Sequence, residues 1–272
     1  MTDGECIEFL QALLPRLRLR WPGFRKVRRQ VCKRLSRRID ELGLPDLSAY
    51  RDYLAGHSGE WEILDSLCRV TISRFYRDRG VFDTLRARIL PELARAASEA
   101  GRDEVRCWCA GCCSGEEAYT LQLLWKIDVI PGMAKSRPLK ILATDMDSDV
   151  LERARKGIYS KSSLGDLPRE YLSAAFLPSG SAYVIRDPFR KDITFARQDI
   201  RSEFPEGTSS LILCRNLVFT YFAEDLQFEI LERISEKLAP GGILVVGIHE
   251  SLPREIKTFV PYERTAGIYR KI

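Results

Sequence analysis

Apolar positions in the first hundred residues recur every three to four places, whereas from residue 104 they gather into short runs separated by helical stretches. Cys6, Phe9, Leu10 and Leu13 share one face of a first helix, and Val27, Val31, Leu35, Ile39 and Leu42 form a longer stripe that stops at Gly43. Asp46 is placed to cap a short helix that carries Leu47, Tyr50 and Leu54 and ends at Gly56. Residues 60–70 and 81–100 keep the helical period, with Pro91 as a kink or break. Strands are expected at 105–109, 140–144, 211–214 and 242–247, and helices at 115–127, 224–238 and from Asp147 to Gly157. A further helix is expected at 167–176, and the tail can pair as a last strand. The runs 182–185 and 193–196, with Asp187 and Pro188 between them, read as a β-hairpin. The pattern predicts an all-helical domain over 1–78. A doubly wound, Rossmann-like α/β domain follows over 79–272, with a small β insertion at about 177–197.

Charge adds one feature. Forty-three Lys and Arg against 38 Asp and Glu give a net charge of +5, which alone points to no partner. Yet eleven basic residues and no acidic one lie between Arg16 and Arg38; removing that +11 from +5 leaves −6 for the rest of the chain. No apolar run approaches the ~20 residues of a membrane span, and the first residues have no basic leader, so a cytoplasmic protein without membrane insertion is expected. The eight cysteines then read as reduced thiols.

Candidate chemistry sits in the turn after the first strand, Ala110-Gly111-Cys112-Cys113-Ser114-Gly115-Glu116-Glu117. Small residues let the backbone approach a ligand, and the next helix offers free N–H groups. The spacing fits neither a dinucleotide fingerprint nor a P-loop, and the two glutamates would repel a polyphosphate. Asp145, at the end of the second strand, stands where such folds bind a ribose diol. A glycine turn and a ribose acid without a phosphate grip indicate a non-phosphorylated nucleoside such as S-adenosylmethionine. The same residues also read as an ordinary turn and a helix cap.

Four segments settle on a family. Arg74-Phe75-Tyr76-Arg77-Asp78, the turn from Ala110 to Tyr119, Ala143-Thr144-Asp145-Met146-Asp147 and Leu213-Cys214-Arg215-Asn216 resemble the landmark motifs of the CheR-type chemotaxis receptor methyltransferases. The resemblance runs from about residue 20 to the end. It implies a class I S-adenosylmethionine-dependent methyltransferase domain with an antiparallel last strand. The implied activity is esterification of a glutamate carboxylate on an acidic protein, with S-adenosylhomocysteine as product. Carried over, the cofactor would lie among Gly111, Cys112, Ser114, Gly115, Glu116, Asp145, Met146, Asp199, Ile200, Asn216 and Leu217. Glu116 would sit along its methionine part, Asp145 at the ribose and Asp199 near the adenine, where the family has Asn. Arg77 would orient the acceptor carboxylate and Tyr221 donate a hydrogen bond to it. An alternative reading pairs Arg77 with Asp78 or Glu117.

The chain also departs from the pattern. Four residues, Leu217 to Thr220, separate Asn216 from Tyr221 where the family has three, and His249 is moved one place. Cys107, Cys109, Cys112 and Cys113 crowd the first strand and read as packing residues, with no metal site expected. On the basic helix, Arg25, Arg29, Lys33 and Arg37 are expected to dock an acidic acceptor. Nucleic acid is the competing partner, without a recognisable binding module, and a monomer is favoured. Two other functions stay open: the same fold acting on a small molecule or another acceptor atom, and a non-catalytic regulator that binds the cofactor. Family members that tether a receptor tail use a β insertion; the hairpin here is short, so tail docking is expected to be weak or absent.

Overall fold

The computed structural model describes residues 2–253, 255–263 and 265–272. The chain forms two compact units, Met1–Val70 with Leu217–Gln227, and Thr71–Asn216 with Phe228–Ile272. The boundary thus falls a few residues before the expected one, and an internal segment joins the N-terminal helices.

The first unit contains α1 (Asp3–Leu13), α2 (Trp21–Phe24), α3 (Arg28–Glu41), α4 (Leu47–Gly56) and α5 (Glu60–Cys68). Thr2 and Glu5 form a reciprocal capping box at α1, and Asp46 accepts from the Ala49 N–H at α4, as its position predicts. Helix α3 buries Val31, Cys32, Leu35 and Ile39. Glu60 is buried and held in a fork by Arg38 at 2.9 and 2.7 Å, with the Tyr50 hydroxyl at 2.8 Å. The Arg38 bonds hold its carboxyl below the usual range. One cysteine expectation is corrected here: Cys6 and Cys32 are joined in a disulfide between α1 and α3. Their facing positions depend on how the two helices pack, which spacing along the chain does not disclose.

In the second unit, α6 (Arg79–Thr84) runs through a π turn (Leu85–Ile89) into α7 (Leu90–Glu99). Pro91 lacks an N–H, so the helix shifts its bonding register instead of ending. Then follow β1 (Val105–Ala110), α8 (Glu116–Leu124), β2 (Leu139–Asp145), α9 (Ser148–Lys156), β3 (Ile158–Ser160), α10 (Arg169–Ala175), β4 (Phe176–Ser179), β5 (Ala182–Ile185), β6 (Ile193–Arg197) and β7 (Ser209–Leu213). The chain continues through α11 (Val218–Tyr221), which belongs to the first unit, then α12 (Glu224–Lys237), β8 (Leu238–Val245), β9 (Phe259–Pro261) and β10 (Ile268–Lys271). Among the described residues the main sheet has seven strands in the order β6-β2-β1-β7-β8-β10-β9. The first five are parallel, while β10 runs antiparallel to β8 and β9 to β10. Helix α8 is buried on almost every side, from Ala118 to Leu124.

The expected hairpin between the runs 182–185 and 193–196 does not form. β5 pairs antiparallel with β3 and β4 in a separate three-stranded sheet, whereas β6 leaves it and pairs parallel with β2, Ile141 facing Ile193 through Asp145 facing Arg197. Both runs carry a strand signal, but Phe189 is buried in the 3-10 turn between them, so the connection is no tight loop. The short hairpin on which weak tail docking was expected is thus replaced by a larger insertion over 158–185.

Candidate functional site

Parallel strands bring their carboxyl ends to one edge, and most of the predicted residues meet there. After β1 the backbone turns sharply: Gly111 has φ +71° and Cys113 +49°, and the N–H groups of Gly111 and Cys112 both donate to the Thr144 carbonyl, at 2.8 and 2.9 Å. This couples the glycine turn to β2. Gly115, at φ +87°, opens α8, and a Cβ there would meet the Phe195 ring and the Ala154 methyl at 3.0 and 3.1 Å. The Tyr159 hydroxyl donates to the Ser114 carbonyl at 2.6 Å and fixes the turn from below.

Asp145 ends β2. One of its oxygens accepts from the Cys113 N–H at 2.9 Å and the other from the Asp147 N–H at 3.0 Å. Met146 follows it, and its sulfur contacts the Arg201 guanidinium, which also grips Asp199 at 2.9 to 3.0 Å. Asp199 is therefore engaged by an arginine that the motifs did not single out. Ile200 is buried beside it.

Glu116 occupies the first turn of α8, is buried, and leaves Oε2 without a partner. Burial pushes its carboxyl up to about 7, against weaker opposing hydrogen bonds from its own backbone N–H and from Ser73. At the end of β7, Asn216 stands at φ +54° with a buried, unpartnered Oδ1. Its N–H donates to Glu250 Oε2 at 2.8 Å, and the Gly247 N–H donates to the same oxygen at 2.6 Å. Glu250 organises this corner through a contact with Asn216, 34 positions away, that no motif signals, whereas its neighbour His249 is exposed. Burial also pushes up the thiols of Cys112 and Cys113, the latter to about 12, so neither is a thiolate at neutral pH.

Arg77 lies at a kink between Tyr76 and Asp78, whose φ values are +59° and +61°. The Tyr76 N–H donates to Thr120 Oγ1 at 3.3 Å, and Thr120 donates to the Glu116 carbonyl at 2.7 Å, tying the kink to α8. Arg77 donates to the Ile72 carbonyl at 3.2 Å and makes no ion pair among the described residues. The acids that might have taken it, Asp78 and Glu117, are both bound by Arg215, at 2.6 and 2.5 Å.

The remaining predicted residues belong to the first unit. Leu217 and Tyr221 lie in its internal segment, where the Tyr221 ring packs edge-on against Phe24 at 5.2 Å. The backbone there is pinned by Arg20 N–H to the Tyr221 carbonyl at 2.8 Å and Ala223 N–H to the Arg18 carbonyl at 2.8 Å. On the basic segment Arg25, Arg29, Lys33 and Arg37 are exposed, with no ion pair among the described residues. Arg28, by contrast, pairs with Asp3, and Arg38 with Glu60.

Residues 71–268 match the family described as CheR methyltransferase, SAM binding domain. The chain is 34% identical over 187 residues to the chemotaxis protein methyltransferase of Listeria monocytogenes, covering 69% of this chain and 68% of that one. It is 32% identical over 232 residues to that of Escherichia coli, covering 82% and 77%. A Rhodobacter capsulatus protein named only as an uncharacterized 104.1 kDa protein is 33% identical over 222 residues, and this chain spans 23% of its length.

The geometry fits S-adenosylmethionine. Glu116 Oε2 and Asn216 Oδ1 are buried acceptors still lacking donors, which the ligand's ammonium and hydroxyl groups can supply. Asp145, and Glu116 once ionised, suit a cationic nucleoside and oppose a phosphate. Gly247 keeps the floor open: a Cβ there would lie 2.4 Å from Asn216 Nδ2 and 2.9 Å from Glu250 Oε2.

Proposed function

Since the chain belongs to the CheR methyltransferase family, an S-adenosylmethionine-dependent methyltransferase family, we propose that it esterifies a glutamate side-chain carboxylate on an acidic protein. The observation that carries this reading is Arg77. It is a half-buried guanidinium without an ion pair among the described residues, anchored to the same helix turn as Glu116.

When bound, S-adenosylmethionine supplies a methyl group on a positively charged sulfur. Glu116, with the backbone of Gly111, Cys112, Ser114 and Gly115, holds the amino-acid end. Asp145 takes the ribose hydroxyls. Met146, Asp199 and Ile200 border the base, and Asn216 closes the floor. The acceptor carboxylate, with an ordinary pKa of about 4.3, arrives ionised and needs no base. The work left to side chains is orientation and exclusion of water. Arg77 presents a fork matched to a carboxylate. Arg25, Arg29, Lys33 and Arg37 offer an acidic partner an exposed face with no competing ion pairs among the described residues. No helix among the described residues is long and apolar enough to cross a membrane.

The test is incubation with methyl-labelled cofactor and a cell extract, followed by mild alkali. Volatile methanol supports the ester. Alkali-stable label would indicate another acceptor atom, and no label would favour a regulator that only binds the cofactor.

A further inference from the structure

Arg215 lies two residues beyond the end of β7, with a side chain that is 0% exposed. Its Nη1 contacts Glu117 at 2.5 Å, its Nη2 contacts Asp78 at 2.6 Å and the Arg77 carbonyl at 3.2 Å, and its guanidinium lies 5.2 Å from the Phe82 ring centre. Two acids and one carbonyl thus converge on one buried cation. Resting on the methyltransferase reading, we propose that Arg215 is a positioning residue: by occupying Asp78 and Glu117 and pinning the Arg77 carbonyl, it keeps the Arg77 guanidinium available for the acceptor carboxylate.

The reasoning is electrostatic and geometric. Asp78 is the next residue to Arg77, and Glu117 feels the Arg77 charge as well as that of Arg215. Without Arg215, two carboxylates would lie beside one half-exposed arginine, and the nearest cation would be captured by them. A captured Arg77 cannot fork onto a substrate. Arginine suits the task because its planar group reaches three acceptors at once, whereas a lysine ammonium is a point charge that cannot span both acids. The left-handed conformations of Tyr76 and Asp78 also need an external restraint, and the bond to the Arg77 carbonyl lies between them.

The test reads Arg77 directly and needs no acceptor. The full-length chain is treated with phenylglyoxal, and the modification rate of Arg77 is followed by mass spectrometry against exposed Arg37. Arg215→Lys should slow modification by about fivefold, as expected for a newly formed, partly exposed ion pair. Arg215→Lys with Glu117→Gln should bring the rate back to within about twofold of the native chain. Glu117→Gln on the native background should leave the Arg77 rate unchanged, a comparison that survives if the lysine variant does not fold. An unchanged rate in Arg215→Lys, no recovery in the double variant, or faster modification in Glu117→Gln would each overturn the assignment. Once an acceptor is in hand, Arg215→Lys should raise its KM while cofactor affinity holds. Failure of the native chain to form a base-labile ester would refute the functional reading instead, and the labelling series is independent of it.

Discussion

Replacing Glu116 by Gln should move stability and cofactor affinity in opposite directions. The side chain is 4% exposed and one oxygen has no partner, so burial raises its carboxyl from 4.5 to about 7. The native state therefore keeps this proton between pH 4.5 and 7, whereas the unfolded chain releases it. Because the native state binds more protons in that window, stability falls as pH rises through it, and the loss is complete above pH 7. At 1.36 kcal/mol per pH unit, raising the carboxyl from 4.5 to about 7 amounts to about 3 kcal/mol. Glutamine cannot ionise, so the variant escapes this penalty. Urea unfolding of both proteins without cofactor should show the variant gaining about 3 kcal/mol on the native protein between pH 4.5 and pH 8. Calorimetric titration at pH 8 should show the reverse for S-adenosylmethionine: loss of a charged acceptor for its ammonium costs about 1.5–3 kcal/mol, roughly 10- to 100-fold in affinity. Native affinity itself should rise with pH up to about 7, since the ionised carboxylate binds the cation. A stability difference that does not change with pH, or unchanged affinity in the variant, would refute the reasoning.

Arg77→Ala should abolish methyl transfer while cofactor affinity changes by less than about threefold; equal loss of both would make Arg77 a cofactor ligand. Neutralising Arg25, Arg29, Lys33 and Arg37 together should lower acceptor affinity and flatten its dependence on salt, with thermal stability held within about 1 kcal/mol, since none of the four makes an ion pair among the described residues. Reducing the Cys6–Cys32 bond, which joins positions 26 residues apart, should cost about 3.5 kcal/mol of stability in the first unit, measurable as a lower urea midpoint with dithiothreitol. Gly247→Ala should weaken cofactor binding at least about tenfold, because the new methyl would displace Asn216 or Glu250.

Much of this protein was legible along the chain because the governing interactions are local. The periodic stripe ending at Gly43, the Asp46 cap and the Asp147-to-Gly157 helix all depend on neighbours within a few turns, and all form as read. The glycine turn and the acid ending β2 were likewise visible, since a parallel sheet places successive strand ends on one edge. What tertiary structure decided were partnerships between distant residues. The run at 193–197 carries the same strand signal whether it closes a hairpin or joins the main sheet, and only pairing with β2 distinguishes them. Cys6 meets Cys32 because two helices pack, and Glu250 reaches Asn216 because two strand ends adjoin. The choice between Arg77 and Arg215 as the partner of Asp78 and Glu117 shows the limit most plainly. All four lie in the motifs, but burial and reach assign the acids to Arg215, and neither is a property of sequence spacing.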